Sequence, residues 1–327
     1  MTTTVASENF TGTAVRERIR TLNSAPTAAR LIAILFFLYA LIAVDRFATI
    51  QNIKSLLISI TIVGIAAVGS AFVTVGGFYF LLSIGAMAAV SSMVFAVTSS
   101  AGISVALLCA IATGILAGVA QGYAVGFRRT EPIVTTIAAS SIILGLGQLV
   151  SGGRIVPNEG DASLLAVHSI AGILPTTVLI LILVTAVLHF VMSATTFGRQ
   201  VRLTGSNRRA ADIAGIPTQR VITFAYTIAG GAAGLAGALL AAQSGQGSPQ
   251  MAGQIDFEVI AAIVVGGIAV AGGRGSVLDA LFGAAFIGLI SNVLLLEGYR
   301  LDIRLVVQGS VLLIAVIAAA VLNRSRK

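Results

Sequence analysis

The sequence predicts an all-α fold, a polytopic membrane helix bundle of about ten transmembrane helices with both termini in the cytoplasm. Of the 327 residues, 57% are apolar and only 10% are charged, whereas soluble domains carry about 25% charged residues. No Asp, Glu, Lys, Arg or His occurs from residue 55 to residue 127. Together these two observations indicate a chain whose solvent is the lipid bilayer.

Charged residues rarely lie in a hydrocarbon core, so the gaps between them delimit candidate spans. A continuous helix over 55–127 would be about 110 Å long, whereas one crossing needs about 30 Å. This gap is therefore predicted to hold three crossings, with turns near Gly76-Gly77 and Ser99–Gly102. The span that follows the outer loop is expected to begin at Pro175, which suits a first helical turn. Seven further gaps are each predicted to hold one span: 31–44, 132–153, 162–198, 221–255, 259–273, 280–296 and 305–323.

The basic residues predict the orientation. If the N-terminus is inside, the inner segments carry 15 of the 20 lysines and arginines and the outer segments carry 5. This asymmetry follows the positive-inside rule, so both termini are predicted to be cytoplasmic. The net charge of +8 is distributed between apolar runs, which fits membrane topology and contact with lipid better than it fits nucleic-acid binding. No nucleic-acid partner is expected.

The predicted organisation is one transmembrane domain, residues 28–323, between a cytoplasmic tail of residues 1–27 and a second tail of residues 324–327. Two connections are longer than a turn requires, an outer loop at 152–174 and an inner loop at 196–220. Glycines spaced by four residues predict close helix contacts, either static or moving. These glycines are Gly114, Gly118, Gly122, Gly126, Gly230 and Gly234.

The sequence lacks the residue patterns that common active sites require. It has no GxxxxGK[ST] phosphate-binding loop. No carboxylate or Cys cluster accompanies His168 or His189, so no metal site is expected. No nucleophile–base pair is recognisable. The chain is therefore not expected to be an enzyme or to hold a cofactor, and a pore or carrier that receives its energy from elsewhere remains.

The inner loop contains a pattern for a short helix. Ser206 or Asn207 can cap its start, and Gly215 and Pro217 can stop it. Between these signals an apolar stripe is formed by Ala210, Ile213 and Ala214. Such a stripe fits the groove of a cytoplasmic partner or the surface of anionic lipid, and its spacing leaves both open.

Three segments resemble a known family. The inner loop resembles the cytoplasmic coupling loop of ABC importer permeases of the ribose, xylose and galactofuranose type at Phe197-Gly198-Arg199, Gly205, Asn207, Ala210, Gly215 and Ile216. The segment from Asp256 through Glu258 to Gly266-Gly267, followed by Gly272-Gly273-Arg274-Gly275, is similar to the acidic-pair, Ile-Ala-Ala and double-glycine block of that family. Glu131–Thr136 is a third match. The resemblance extends from about residue 60 to residue 323.

The resemblance implies a bacterial inner-membrane permease subunit that imports a sugar or similar small polar solute. It implies two cytoplasmic ATP-binding subunits, which would hold ATP and Mg²⁺, together with a second permease subunit in a homo- or heterodimer and a periplasmic solute-binding protein. Contact with the ATPase would involve Phe197, Gly198, Arg199, Gly205, Asn207, Arg208, Ala210, Ala211 and Gly215. Glu159 and Asp161 in the outer loop are candidates for docking the binding protein.

The chain departs from the family at two places. Where the family usually has Gly-Gly-Ile-Asp-Leu-Ser, counting from Gly76 places Tyr79 at the Asp and Leu81 at the Ser. The acidic residue that often follows the Asn of the coupling loop is Arg208 here. Candidate residues of the translocation path, chosen because aromatic faces and amides suit sugars, are Phe78, Tyr79, Phe80, Gln148 and Asn292.

A stand-alone secondary transporter and a passive channel are the alternatives. The transporter would predict an inverted repeat and ionisable residues near the membrane midplane. The channel would predict a ring of charges or a filter of carbonyl groups, for which the turn Gly272–Gly275 is the single faint candidate.

Overall fold

A computed structural model describes residues 24–160, 169–170, 174–251 and 253–324. Within these ranges the chain is built from twelve α-helices, so the predicted all-α class is confirmed. The helices are α1 Ser24–Ala43, α2 Ile50–Val75, α3 Ile84–Thr98, α4 Ile103–Gly126, α5 Pro132–Ser151, α6 Thr176–Ala194, α7 Thr196–Ser206, α8 Arg208–Ile213, α9 Thr218–Ser244, α10 Ile255–Gly266, α11 Val277–Leu296 and α12 Leu301–Arg324.

Four strands of two residues each occur in the connections. Strand β1 (Val156–Pro157) pairs antiparallel with β4 (Gln246–Gly247), and β2 (Ser169–Ile170) pairs with β3 (Leu174–Pro175). The β1–β4 pair is extended by Asn158, whose backbone amide donates to the Gly245 carbonyl over 2.9 Å. These bonds attach the connection after α5 to the C-terminal end of α9.

The long uncharged stretch folds back twice, as predicted. It forms α2, α3 and α4, with one break at Gly76-Gly77 and a second at the 3₁₀ turn Ser99–Ala101. Gly77 has φ 83° and Gly102 has φ 107°, values that a residue without Cβ adopts at no steric cost. Helix α6 begins at Thr176 with Pro175 as its N-cap residue, close to the predicted start.

The predicted count of ten spans is not confirmed. Seven helices of the described ranges are long and apolar enough to cross a membrane: α2, α3 with its 3₁₀ turn, α4, α5, α6, α9 and α11. The span predicted at 259–273 is wrong, because α10 has only 12 residues and measures about 18 Å at 1.5 Å per residue. Its apolar run continues past Gly267, where φ of 92° ends the helix.

The predicted tails lie almost entirely outside the described residues. Helix α1 begins at Ser24, so residues 24–27 of the predicted N-terminal tail are helical. Residues 1–23 and 325–327 are not described. The side of the membrane on which each terminus lies stays a prediction.

Helix α9 lies at the centre of the bundle and packs against α2, α3 and α4. The predicted glycine contact is present between α4 and α9. A Cβ on Gly118 would overlap the Tyr226 carbonyl oxygen, and one on Gly114 would overlap the Gly230 carbonyl oxygen. Small residues allow this backbone approach, which large side chains would prevent.

The periphery is apolar, as the bilayer requires. Large apolar side chains are exposed along several helices, among them Leu116 on α4, Leu149 on α5, Leu183 on α6 and Val306 on α12. In water such surfaces would favour aggregation. In a membrane they are in contact with lipid tails or with another helix.

Candidate functional site

The segment predicted as a coupling loop is mostly helical. Helix α7 starts at the N-cap Thr195, whose hydroxyl accepts a hydrogen bond from the Gly198 amide over 3.3 Å. Asn207 separates α7 from α8 and caps α8, because its side-chain oxygen accepts from the Ala210 amide over 3.0 Å. The capping prediction is therefore confirmed for Asn207, and a second helix, α7, which the sequence analysis does not predict, occupies 196–206.

Aromatic contacts anchor α7 to the bundle. The Phe197 ring stacks on Phe72 of α2 with centroids 6.0 Å apart and meets the Phe224 ring of α9 edge-on at 6.2 Å. Val201, one turn further along α7, is fully buried. Gly198 permits the tight turn from α6, since a Cβ there would overlap the Met192 backbone.

Helix α8 presents its apolar stripe outward. Ala211 is the buried residue of this helix, and its carbonyl accepts from the Ile216 amide over 3.0 Å. Ala210 and Ala214 are exposed, and 82% of the Ile213 side chain is exposed. The stripe is therefore accessible to a partner.

Basic side chains lie on α8 and on the neighbouring helix α7. Arg199 and Arg209 are exposed, and Arg208 is half-buried. Burial lowers the pKa of Arg208, an effect that Asp212 opposes and Arg129 reinforces. Asp212 also accepts a hydrogen bond from the Thr218 hydroxyl at the start of α9. We call the end of the bundle that carries α7 and α8 the basic end.

A junction of glycines joins α7 to the break between α2 and α3 and to the turn after α10. A Cβ on Gly205 of α7 would overlap the carbonyl oxygen of Val75, the last residue of α2. A Cβ on Gly77 would lie 3.1 Å from the Gly205 Cα. The Gly273 amide, in the turn after α10, donates to the Val75 carbonyl over 2.8 Å. We call Val75, Gly77, Gly205, Gly272 and Gly273 the glycine junction.

The aromatic candidates for the translocation path lie in the non-helical segment between α2 and α3. Phe78 is buried, with its ring 6.4 Å from the Tyr226 ring. Tyr79 is 46% exposed and has φ 58°, and Phe80 packs at the edge of the main core.

The amide candidates lie elsewhere. Gln148 is exposed near the C-terminal end of α5. Asn292 of α11 is buried and exchanges two hydrogen bonds with Asn52 of α2, of 3.0 and 2.8 Å. The structure therefore does not bring the five candidates to one site, and their role in translocation stays a prediction.

Two polar contacts that the sequence did not reveal hold the start of α3. The Ser83 hydroxyl donates to Gln121 of α4 over 2.7 Å, so it does not cap its own helix. Instead the Gly85 amide donates to the Asp256 carboxylate of α10 over 2.9 Å. Counting from Gly76 missed Ser83, because the pair Leu82-Ser83 lies two residues beyond the position examined.

A polar cavity of about 520 Å³ lies between α2, α9, α10, α11 and α12. It was also missed. Its polar lining includes Gln243, Gln254, Glu258, Ser291 and Arg304. One signal was available: four glutamines occur from residue 243 to residue 254, at the end of the gap 221–255 that is predicted to hold one span.

The outer-loop candidates are only partly described. Glu159 is exposed, and its amide donates to the Ala96 carbonyl over 3.4 Å. Asp161 lies outside the described residues. Among the described residues no group of three or more His, Cys, Asp or Glu side chains could hold a metal ion.

Residues 52–316 match a family model described as the permease component of the branched-chain amino acid transport system. The chain belongs to this permease family. It is 36% identical to the probable ABC transporter permease protein YphD of Escherichia coli K12, over 90% of this chain and 88% of the relative. It is 33% identical to the ribose import permease RbsC of Bacillus subtilis 168, over 86% and 89%. It is 32% identical to the L-arabinose transport system permease AraH of Escherichia coli K12, over 87% of each chain.

These relatives make the protein an ABC permease with several membrane-spanning helices, the family that the coupling-loop and double-glycine motifs indicated. As a permease of this family it is a transport component, and a bacterial inner membrane is its location.

Proposed function

We propose that this permease forms the translocation path of an ATP-driven importer for a sugar or similar small polar solute. The observation that carries the proposal is the exposed apolar stripe of α8. It lies on a segment that contacts the α2–α3 break and the turn after α10 through Gly205. Two of the relatives are named for ribose and L-arabinose, which supports a sugar as solute. ATP and Mg²⁺ would be held by a partner chain.

The basic end would face the cytoplasm, as the 15-to-5 distribution of basic residues predicts. A cytoplasmic ATP-binding subunit would receive Ala210, Ile213 and Ala214 in an apolar groove. Exposed Arg199 and Arg209 favour a groove with an acidic rim, because complementary charge orients and accelerates docking.

Movement of α7 and α8 would reach the membrane through the glycine junction. Gly205 has backbone atoms of Val75 and Gly273 as neighbours, with no side chain between them to absorb a displacement. A shift of α7 would therefore move the α2–α3 break and the α10–α11 turn together. Packed interfaces of this kind change between discrete arrangements, as alternating access requires.

A second permease subunit would complete the path, and a periplasmic binding protein would deliver the solute. Glu159 and Asp161 remain the proposed docking residues for that protein. Selection of the solute by the binding protein would let the permease itself bind only weakly.

Purification of the tagged chain from native membranes in mild detergent, followed by mass spectrometry, tests the proposal. Recovery of a chain with a Walker motif is expected. Ala210→Asp should remove that chain, because it places a charge in the apolar stripe, whereas Ala101→Asp, at an exposed alanine after α3, should not. Recovery of the permease alone, even after crosslinking, would instead favour a stand-alone secondary transporter or a channel.

A further inference from the structure

The polar cavity is remote from the coupling segment. Of its lining residues on α2, Ser59 and Val63 precede Val75 by 16 and 12 residues. At 1.5 Å per residue they lie about 18 to 24 Å from the glycine junction. Its further walls come from the C-terminal part of α9, the start of α10 and the last turns of α11. It therefore lies in the half of the bundle opposite to the basic end.

The polar groups of the cavity are of the kinds that bind hydroxyl groups. Three amides contribute, from Gln243, Gln250 and Gln254, and two hydroxyls contribute, from Ser59 and Ser291. Amides and hydroxyls both donate and accept hydrogen bonds, as a sugar hydroxyl does. These groups alternate with apolar side chains, which suits the C–H faces of a sugar ring.

One carboxylate and one guanidinium complete the lining. Gln308 positions the carboxylate. Its side-chain amide donates one hydrogen bond to Glu258 over 3.4 Å and one to the Ser291 hydroxyl over 2.6 Å. Arg304 is close enough to Glu258 to interact with it electrostatically. The Arg304 Nε is buried without a hydrogen-bond partner, so a donor remains available in the cavity wall. Ionisable residues at membrane depth are costly and mark solute pathways.

The charges and the size restrict the ligand. The negative charge of Glu258 and the positive charge of Arg304 cancel, and the remaining lining residues are neutral. A cationic or anionic solute would therefore lose its hydration without a compensating net charge. A volume of about 520 Å³ lies within the range of small-molecule pockets, about 300 to 1,000 Å³.

We propose that this cavity binds the transported solute, an uncharged polyhydroxy molecule of monosaccharide size. Binding would occur after the solute enters the permease and before α10 moves. The proposal rests on the proposed transport function. It assigns Glu258 and Arg304 to solute binding and Gln243, Gln250 and Gln254 to the hydroxyl-binding wall. Gln308 is a positioning residue, because it bonds Glu258 and Ser291. Helix α10 lines the cavity at Ile255 and Glu258 and is followed by the turn of the glycine junction, so one short helix connects the solute to the coupling segment.

Solute protection of a cysteine in the cavity tests this proposal without any ATPase. Cys109 is the single cysteine, so Cys109→Ala gives a background without thiols. In that background Ser291→Cys places a thiol in the cavity, and Ser100→Cys places one at an exposed residue after α3 as control. The full-length protein is treated with a membrane-impermeant thiol reagent in the presence of D-ribose, L-arabinose, D-fructose or xylitol, or of the charged analogues gluconate and glucosamine.

At least one uncharged probe should slow labelling of Ser291→Cys, by about tenfold at ten times its dissociation constant. The charged analogues should protect less, and Ser100→Cys should label equally under all conditions. Equal labelling of Ser291→Cys with every uncharged probe would overturn the proposal, as would equal protection by the charged analogues. Recovery of the ATPase chain tests the transport function separately, so the two failures are distinguishable.

Uptake into cells adds a second measurement. Arg304→Gln and Glu258→Gln should raise the KM for uptake, because each removes a ligand group and leaves the opposite charge alone. Their matched controls are Arg300→Gln and Glu297→Gln, at exposed residues near the cavity helices. Controls and cavity variants with the same KM would contradict the assignment.

Discussion

The Gly273 amide donates a 2.8 Å hydrogen bond to the carbonyl oxygen of Val75. This bond joins the turn after α10 to the last residue of α2, and Gly205 of α7 lies against both. The coupling segment is therefore in direct backbone contact with the α2–α3 break and with the turn between α10 and α11. A displacement of α7 cannot leave these places unchanged, because the contact contains no flexible side chain.

Gly205→Ala should separate ATP hydrolysis from transport. The added methyl group overlaps the Val75 carbonyl oxygen, so the junction must open, at a cost of about 1 to 3 kcal/mol for an overpacked contact. We expect ATPase association to persist, because α8 is unchanged, and the ratio of solute transported to ATP hydrolysed to fall. The measurement is uptake and hydrolysis by the purified complex in liposomes.

Gly309→Ala is the control for this variant, because no atom lies within 4 Å of a Cβ built there. It should keep the wild-type ratio. A wild-type ratio for Gly205→Ala as well would show that the glycine junction does not transmit the movement of α7.

Gly118→Ala and Gly145→Ala should change stability in opposite directions. Both residues lie inside helices, but a Cβ at Gly118 overlaps the Tyr226 carbonyl oxygen, whereas Gly145 has open space. We expect Gly118→Ala to lower the free energy of unfolding by about 1 to 3 kcal/mol. Gly145→Ala should raise it by about 0.5 to 1 kcal/mol through helix propensity.

Unfolding of both variants in mixed micelles can be monitored by circular dichroism, since the chain has no Trp for fluorescence. If Gly118→Ala were as stable as the wild type, the contact between α4 and α9 would be looser than the structure indicates.

Local signals in the sequence were sufficient for much of the fold. The breaks at Gly76-Gly77 and Ser99–Gly102 follow from the length of the uncharged run, which exceeds a single crossing. The cap Asn207 and the helix start next to Pro175 follow from the chemistry of one or two residues. Each of these features is decided within about one helical turn.

Features that depend on remote residues could not be predicted. Asn52 and Asn292 are 240 residues apart, and no periodicity indicates that two amides will meet. The cavity takes its walls from five helices, so none of them carries its pattern alone. The sequence predicts a full span at 259–273 because glycine is compatible with an apolar run. Helix α10 ends at Gly266 because Gly267 has a positive φ, and the surroundings of Gly267 set that φ.

The Asn52–Asn292 pair should behave as one unit in a double-mutant cycle. Replacing either residue by Ala leaves a buried amide without its partner, which costs about 1 to 3 kcal/mol. The double replacement should cost less than the sum of the single ones, with a coupling of about 0.6 to 2 kcal/mol, as for hydrogen bonds within membranes. Unfolding in mixed micelles measures all four proteins.

Gln148→Ala, at an exposed amide, should leave stability unchanged. Additive effects of Asn52→Ala and Asn292→Ala would show that the pair is not coupled. In that case the role of Asn292 in the translocation path would become the stronger interpretation.

The Asp256 carboxylate should be required for the start of α3. Ser83 occupies the N-cap position but donates its hydroxyl to Gln121, so the Gly85 amide depends on Asp256 for an acceptor. Asp256→Ala should destabilise the protein by about 1 to 3 kcal/mol, the cost of a buried amide without a partner. Asp256→Asn should restore most of this loss, because its side-chain oxygen still accepts.

Asp302→Ala is the matched control for Asp256→Ala, because Asp302 also bonds a helix-terminal amide, that of Ile303, but is 64% exposed. Water replaces the lost acceptor there, so the change should be within about 1 kcal/mol. Uptake should follow the same order, since Asp256 joins α3 to the short helix that lines the polar cavity. An equal loss of stability in Asp256→Ala and Asp256→Asn would assign the effect to charge at the helix N-terminus instead of to the hydrogen bond.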